Sequence, residues 1–554
     1  MFDVARVPFS YFGSWMSISI TGKERQLFLR SHHNTQNDLF VLKSTLAGEE
    51  IAYRANGRPD CLTLEAAGSK IEIAFQSTGT LRMRGRELGL VIECAMPTVA
   101  YSEGADLATL NVRNALRRYQ VEALAGSIDL QGAYSAGRSE EPPCVTATPG
   151  KDGAWEIAID EFWSTWERPE RKPFDECVAA AARNYGAFLD SMPVAPPRYE
   201  SARQLAAYVN WAATVEPCGL LKRHTMLMSK NWMCNVWSWD QCFNAMAMAA
   251  GQPQLALDQM LVLVDHQDRF GSYPDSINDI EIHYNFSKPP VHGWAFREVL
   301  ARLPKPPERW VMETMYASLS AQVRWWLDHR RIADSALPYY LHGNDSGWYN
   351  STMFDRGVPL NAPDLAALMV LQMDSLAELA CELSRPQEQR AWQGEADRLL
   401  EALVSQLWHG DRFVARLASD GCVVESESLI PWLAIILGTR LPEDIRTALA
   451  KGVERHLTQW GLATEHPKSP EYASSGYWRG PIWAPATWIA VTGLMKAGYI
   501  ELADKISERF CELCSRSGFA ENFNALTGEA LCDPAYTWTA SVFLLLSEHL
   551  ARER

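Results

Sequence analysis

The rhythm of hydrophobic and polar positions changes part-way along the chain. Up to about residue 165 the apolar residues alternate, or gather in short β-branched runs. Examples are Ser17-Ile-Ser-Ile-Thr, Arg25-Gln-Leu-Phe-Leu-Arg, Leu39-Phe-Val-Leu, Lys70-Ile-Glu-Ile-Ala-Phe, Leu81-Arg-Met-Arg-Gly, Leu88-Gly-Leu-Val-Ile-Glu-Cys and Trp155-Glu-Ile-Ala-Ile-Asp. A period of two places successive side chains on opposite faces of a pleated strand. Turn residues such as Asn56-Gly57 and Gly79 punctuate the runs. Many short strands at this spacing predict an antiparallel β-sandwich over residues 1–170.

Beyond it the spacing of apolar residues becomes three to four, the mark of helices with one buried face. The pattern predicts helices over 174–191, 201–215, 255–267, 309–329, 364–383, 386–408, 442–456, 484–497, 500–515 and 534–551. The proline-rich Met192-Pro-Val-Ala-Pro-Pro-Arg separates the first of these from the rest, so 171–198 reads as a linker. No short repeat of fixed length appears, which argues against a tetratricopeptide-type solenoid. Long helices in pairs, joined by loops rich in Gly, Pro, Trp, Asp and Asn, fit an (α/α)6 toroid over 199–554. The fold class expected is thus mainly α with a β domain: an N-terminal antiparallel β-sandwich followed by the toroid.

Composition narrows the function. With 554 residues, two or more domains are the default. Hydrophobic residues at 47% and charged residues at 21% are globular usage. The net charge of −15 argues against nucleic acid or an anionic membrane as partner. No apolar run reaches 18 residues, and no basic stretch followed by an apolar one opens the chain, so neither a membrane span nor a signal peptide is expected. The 12 cysteines are scattered, and Cys511 and Cys514 lie in a helical run with no second pair to complete a zinc site. Reduced thiols and a cytoplasmic location follow as expectations. No Gly-rich phosphate loop, H-E-x-x-H or G-x-S-x-G occurs, so no cofactor and no metal are expected. Oligomeric state has no signature in the pattern.

Of 21 tryptophans, 17 follow residue 200, which suits either an indole-filled core or stacking on sugar rings. Five loop segments favour the sugar. They are Trp237-Ser-Trp-Asp240, Gly271-Ser-Tyr-Pro-Asp275 with Ser287-Lys288-Pro-Pro-Val-His292, Asn344-Asp345-Ser-Gly-Trp348-Tyr349-Asn350-Ser351, Ser475-Gly-Tyr477-Trp478-Arg479-Gly-Pro-Ile-Trp483, and Glu521-Asn-Phe-Asn524. Each sets a carboxylate, amide or Arg beside an aromatic ring between helices. Rings cover the apolar face of a pyranose while fixed polar groups bind its hydroxyls.

In order and content these motifs resemble the α/α-barrel glycoside hydrolases of family 63 and their relatives, including trehalase. The resemblance covers about 200–554, and the Tyr477-Trp-Arg-Gly-Pro-Ile-Trp483 run is its most specific part. It implies cleavage of an α-glycosidic bond, usually glucosidic, with inversion. Inversion takes two carboxyl groups on opposite faces of the sugar, one protonating the leaving oxygen and one activating water. By resemblance Glu521 is the base.

The acid position departs from the family. Aligning Ser346-Gly-Trp-Tyr-Asn-Ser351 puts Tyr349 where the family has an Asp, and a phenol near pKa 10 is a poor donor at neutral pH. Three readings are open. Asp345 takes over as acid, or simply shapes the turn; Tyr349 donates, as in lyase-like chemistry; or the acid is lost and the protein binds sugar. The other roles implied are ring faces from Trp237, Trp239, Trp348, Trp478 and Trp483, and hydroxyl binding by Asp240, Asn350, Tyr477 and Arg479. Arg479 reads equally as a tie between two loops. Asp275 is a sugar ligand or a turn former. Lys288 and His292 would face an anionic aglycone, His292 being as easily structural. Asn524 would orient Glu521 or the attacking water.

Overall fold

The computed structural model describes residues 1–134 and 142–552. Two antiparallel eight-stranded sheets form the front of the molecule. One runs from Phe9–Ser10 through Met16–Thr21, Gln26–Ser31, Asn37–Leu46 and Leu88–Cys94 to Cys144–Thr148 and Ser127–Gln131. The other runs from Thr98–Ser102 through Arg117–Ala125, Ala154–Phe162 and Thr80–Arg86 to Arg54–Gly57. Their inner faces enclose one core that includes Ile18, Leu29, Ile73, Met83, Ile92 and Ile159. This is the sandwich that the alternating pattern implies.

One expected turn is a strand. Asn56-Gly57 ends Arg54–Gly57, with Gly57 opposite Leu62. A Cβ on Gly57 would lie 2.3 Å from the Phe2 ring, so the glycine admits that ring where a turn was read.

The polar face of Met16–Thr21 is buried as well, because the helical part covers it. Arg30 reaches across this seam. Its guanidinium donates to Ser19 Oγ at 3.0 Å on its own sheet, and to the carbonyls of Lys230 at 3.1 Å and Asn231 at 2.6 Å in the helical part. Lys230 Nζ answers by donating to Ser10 Oγ at 3.0 Å. The helix Phe174–Ser191 packs on strand Ser69–Ser77 and on the helix Glu200–Ala213.

From residue 200 onward, eleven α-helices and one eleven-residue 3-10 segment, Ile430–Arg440, make up the described chain's longer helical elements. Six of them touch in a closed ring: Asp240–Met248, His292–Arg302, Pro363–Glu382, Ile430–Arg440, Ala484–Ala497 and Thr537–Arg552, which returns to Asp240–Met248. The others lie outside, giving the (α/α)6 toroid. Asp240–Met248 and His292–Arg302 begin at the last residue of a polar–aromatic loop, Ala484–Ala497 begins just after one, and Pro363–Glu382 and Thr537–Arg552 follow one further along the chain, so the N-termini of these ring helices gather the site. The ring segments Ile430–Arg440, His292–Arg302 and Asp240–Met248 escaped the periodicity reading. The first is a 3-10 segment broken at Gly438, so its side chains do not follow α-helical spacing. No described helix is long and apolar enough to cross a membrane.

Candidate active site

Glu521 lies just before strand Asn522–Phe523, in the loop between helices Ile500–Ser517 and Thr537–Arg552. Its side chain is buried, with the residue 4% exposed. The Tyr477 hydroxyl donates to Oε1 at 2.8 Å, and the Asp533 N–H approaches Oε2 at 3.5 Å. Glu521 N–H in turn donates to the Asp533 carbonyl at 2.7 Å. Burial raises its pKa to about 7, helped by the charge of Asp533 and opposed by the Tyr477 hydrogen bond. A carboxyl held there is half-ionised at neutral pH, the state a general base works from.

Asp240 starts the inner helix Asp240–Met248 and is also buried. Burial pushes its pKa up to about 8; Lys288 opposes this, while Asp275 and Glu521 add to it. Asp275 Oδ1 pairs with Lys288 Nζ at 3.0 Å. The carboxyl groups of Asp240, Asp275, Glu521 and Asp533 are all buried at this end of the ring, where Asp275 is paired with the buried ammonium of Lys288. Charge is costly to bury, and such an excess marks a site built for chemistry.

The indoles form the wall behind these groups. Trp478 lies flat on Trp483, with centroids 3.8 Å apart and 9° between planes, and Trp348 stacks on Trp478 at 4.6 Å. Trp239 meets Trp538 edge-on at 5.5 Å. Stacked or edge-on pairs contribute about 0.5–1.5 kcal/mol each beyond burial. Gly347, with φ of 76°, lets the next loop close on them: a Cβ there would lie 2.6 Å from the Trp239 ring.

Residues 233–539 match the mannosylglycerate hydrolase MGH1-like glycoside hydrolase domain. The chain belongs to that family. The mannosylglycerate hydrolase of Rubrobacter radiotolerans is 24% identical over 404 residues, covering 56% of this chain and 89% of that one. The glucosylglycerate hydrolase of Mycolicibacterium hassiacum is 23% identical over 407 residues, covering 56% and 91%. A bacterial glucoamylase crystallised with acarbose superposes with a TM-score of 0.66 at 10% identity, covering 100% of this chain and 95% of that one. The last comparison shows the fold, sandwich and toroid together. The family 63 resemblance carried by the loop motifs thus holds for this glycoside hydrolase chain.

Within this hydrolase fold several side chains read as ligands turn out to be tied to protein. Asp345 is 1% exposed and fully engaged. Oδ1 accepts from Ser287 N–H at 3.0 Å, and Oδ2 from Leu341 N–H at 2.9 Å and Arg330 Nη1 at 3.0 Å. That is an anchor fixing its loop, not an acid with a free oxygen. Tyr349, in the family's acid place, is 53% exposed and ring-to-ring with His342. Asn350 bridges loops, donating to Gly476 O at 2.9 Å and accepting from Trp478 N–H at 3.0 Å. Arg479 donates to Asn350 O at 2.7 Å and pairs with Asp355 and Glu471, which makes it the loop tie.

His292 uses both ring nitrogens, toward Ser238 O at 3.2 Å and Gln322 Nε2 at 3.1 Å, and burial lowers its pKa to about 3. It is a neutral structural imidazole. Lys288, paired with Asp275, also donates to Asn344 O at 3.2 Å, so its charge is not free for an anionic ligand. Asn524 Oδ1 accepts from Leu526 and Thr527 N–H, closing its own turn rather than orienting Glu521. Trp239, Trp348, Trp478 and Trp483 are each 1–3% exposed and mainly pack on one another; Trp237 alone of the five indoles is half-buried.

Asp533 and Tyr536 went unread. Asp533 is fully buried and accepts from Asn231 Nδ2 at 3.0 Å. Tyr536 is buried within electrostatic reach of Asp240 and Glu521. The Cys532-Asp-Pro-Ala-Tyr536 run before the last helix was the available signal, and it reads as a plain helix start. Among the described residues one group has metal-ligand geometry, His33, Cys218 and Asp279 on the seam between the two parts. The Arg117 guanidinium already sits among them, 2.8 Å from His33 Nδ1 and 3.4 Å from Cys218 Sγ, so the cluster reads as an ion-pair staple.

Proposed function

We propose that this chain hydrolyses the α-glucosidic bond of a small glucoside with inversion, Glu521 acting as the base that takes a proton from the attacking water. The observation that carries the proposal is the buried Glu521 carboxyl, oriented by the Tyr477 hydroxyl and held near pKa 7 among the other carboxyls of the ring's mouth. Asp240, still protonated at neutral pH, offers a carboxylic O–H and a carbonyl oxygen to sugar hydroxyls. Trp237 supplies the accessible ring face.

A glucosyl unit agrees with the relative named as a glucosylglycerate hydrolase, and a small substrate agrees with both relatives. The saturated Asp345 leaves departure of the aglycone without a carboxylic acid from that loop, and Tyr349 gives at most a phenolic hydrogen bond. Binding without turnover is less well supported, because it does not explain a base poised near neutrality, and lyase-like chemistry is less well supported because the relatives are named as hydrolases. Free cysteines throughout suit a reducing compartment, the cytoplasm.

The test is α-glucosyl fluoride hydrolysis followed by proton NMR, since fluoride departs without a protonated acid. β-Glucose is the expected first product, and Glu521→Gln is expected to remove the reaction. α-Glucose as first product, or full activity in Glu521→Gln, would refute the assignment.

A further inference from the structure

A short relay of buried polar groups runs from the sandwich to Glu521. It starts at Arg30, whose guanidinium fork spans the seam. Nε donates to Asp38 Oδ1 at 2.8 Å and Nη1 to Ser19 Oγ at 3.0 Å on the sandwich side. Nη1 and Nη2 also donate to the carbonyls of Lys230 at 3.1 Å and Asn231 at 2.6 Å. Those two residues sit at the tip of a turn closed by the Ser229 N–H on the Met233 carbonyl at 3.0 Å. The tip has further ties to the front of the chain. Lys230 Nζ donates to Ser10 Oγ at 3.0 Å, and Asn231 Nδ2 to the Arg6 carbonyl at 3.2 Å.

The same tip holds the neighbour of the base. Asn231 Nδ2 donates to Asp533 Oδ1 at 3.0 Å, and the Trp232 N–H approaches Oδ2 at 3.4 Å. Asp533 in turn brackets Glu521 with its backbone. Its carbonyl accepts from the Glu521 N–H at 2.7 Å, and its own N–H approaches Oε2 at 3.5 Å. Arg30, Asn231, Asp533 and Glu521 are each 6% exposed or less, so little water competes for these bonds.

We infer that Arg30 and Asn231 are positioning residues for Glu521, which makes the β-sandwich a support for the base. This rests on the hydrolase reading above. The guanidinium that closes the domain seam holds the residue whose amide holds Asp533, and Asp533 holds Glu521 at both its N–H and its carboxyl.

Charge follows the same path. Burial raises the pKa of Asp533, and the Asn231 hydrogen bond opposes that rise. The Asp533 charge in turn raises the pKa of Glu521. Tyr477, Tyr536, Asp240 and Cys532 also lie within electrostatic reach of Glu521, and Tyr536, Cys532 and Cys234 within reach of Asp533. Burial raises these phenols and thiols, so they stay protonated at neutral pH, while it lowers Lys230 on the tip to about 7. Without the Asn231 amide, Asp533 keeps its proton to higher pH. Less negative charge then stands beside Glu521, and the pKa of the base falls.

The experiment follows kcat, KM and the pH profile of the full chain on α-glucosyl fluoride. Asn231→Leu keeps the bulk without the amide, and Arg30→Lys keeps the charge without the fork. Each is expected to lower kcat about tenfold or more with KM within about twofold of the parent, and to move the acid limb of kcat/KM to lower pH. In an Asp533→Asn background, Asn231→Leu should move the limb no further, because the charge it acts through is gone. Parent values of kcat and limb in either variant, whatever the Tm, overturn the inference. So does a limb shift that survives in the Asp533→Asn background, which would belong to Lys230. If Arg30→Lys does not fold, Asn231→Leu decides by the same outcomes. If the parent fails to turn over the fluoride, the hydrolase reading falls while the relay is still decided by the Glu521 titration. That titration is followed by carbon-13 NMR of the glutamate-labelled chain and assigned with Glu521→Gln. Asn231→Leu is expected to lower the Glu521 pKa there, and an unchanged value overturns the relay.

Discussion

Glu521 and Asp345 are both carboxyls buried almost completely on the loops of one ring, yet they are prepared for opposite tasks. Glu521 meets one phenolic hydrogen bond, a distant N–H and the negative charge of Asp533, so burial leaves it close to its titration point at neutral pH. Asp345 meets a guanidinium and two backbone N–H groups, which occupy both of its oxygens. Burial alone makes a carboxyl chemically available; burial with a full set of donors makes it a bolt. The two sides of the site are unequal for that reason, one carrying a base and the other an anchored loop topped by exposed rings.

The sharpest way to break this comparison is Glu521→Gln. Loss of a general base costs about 10²–10⁴-fold, read as kcat/KM on α-glucosyl fluoride. In the parent, the acid limb of that profile should lie near pH 7, because the base must be ionised and its pKa is about 7. Next in size is Arg330→Met, which leaves Asp345 as a buried charge with its main partner gone. About 3–5 kcal/mol of stability should be lost, seen as a lower Tm and denaturant midpoint. A Tm close to the parent's would mean that Asp345 is not the bolt described.

Tyr477→Phe removes a hydrogen bond to a charged group, worth about 1.5–3 kcal/mol. That bond lowers the Glu521 pKa, so its loss should move the acid limb of kcat/KM to higher pH. Asp533→Asn should move the limb the other way, since the Asp533 charge raises the pKa of Glu521. Parallel shifts in the two variants would count against the electrostatic account.

Much of the scaffold was legible because periodicity is local. The helices Arg309–His329 and Ala484–Ala497 have the bounds their apolar spacing implies. Ile430–Arg440 was invisible because it is a 3-10 segment broken at Gly438, whose side chains do not follow α-helical spacing. In the site, the loop order was legible because each motif precedes or opens an inner element. The division of labour among its carboxyls was not. Asp345 becomes a bolt through Arg330, 15 positions earlier at the end of helix Arg309–His329, and through Ser287 from another loop, and Asp533 acts on Glu521 while held by Asn231, 302 positions earlier. Arg479, Asn350 and Lys288 looked like ligands because their side chains could bind sugar; only the fold shows that neighbouring loops already occupy them.

The inequality of the two sides is tested most directly by a leaving-group series. Substituted phenyl α-glucosides spanning a range of phenol acidities would be compared by kcat/KM at one pH, where the base is ionised. With no carboxylic acid assisting departure, charge builds on the phenolic oxygen, and log kcat/KM should fall steeply as the phenol pKa rises. A flat dependence on phenol pKa, persisting after the chemical step is shown to limit the rate, would mean a proton donor serves the leaving group and would contradict the account.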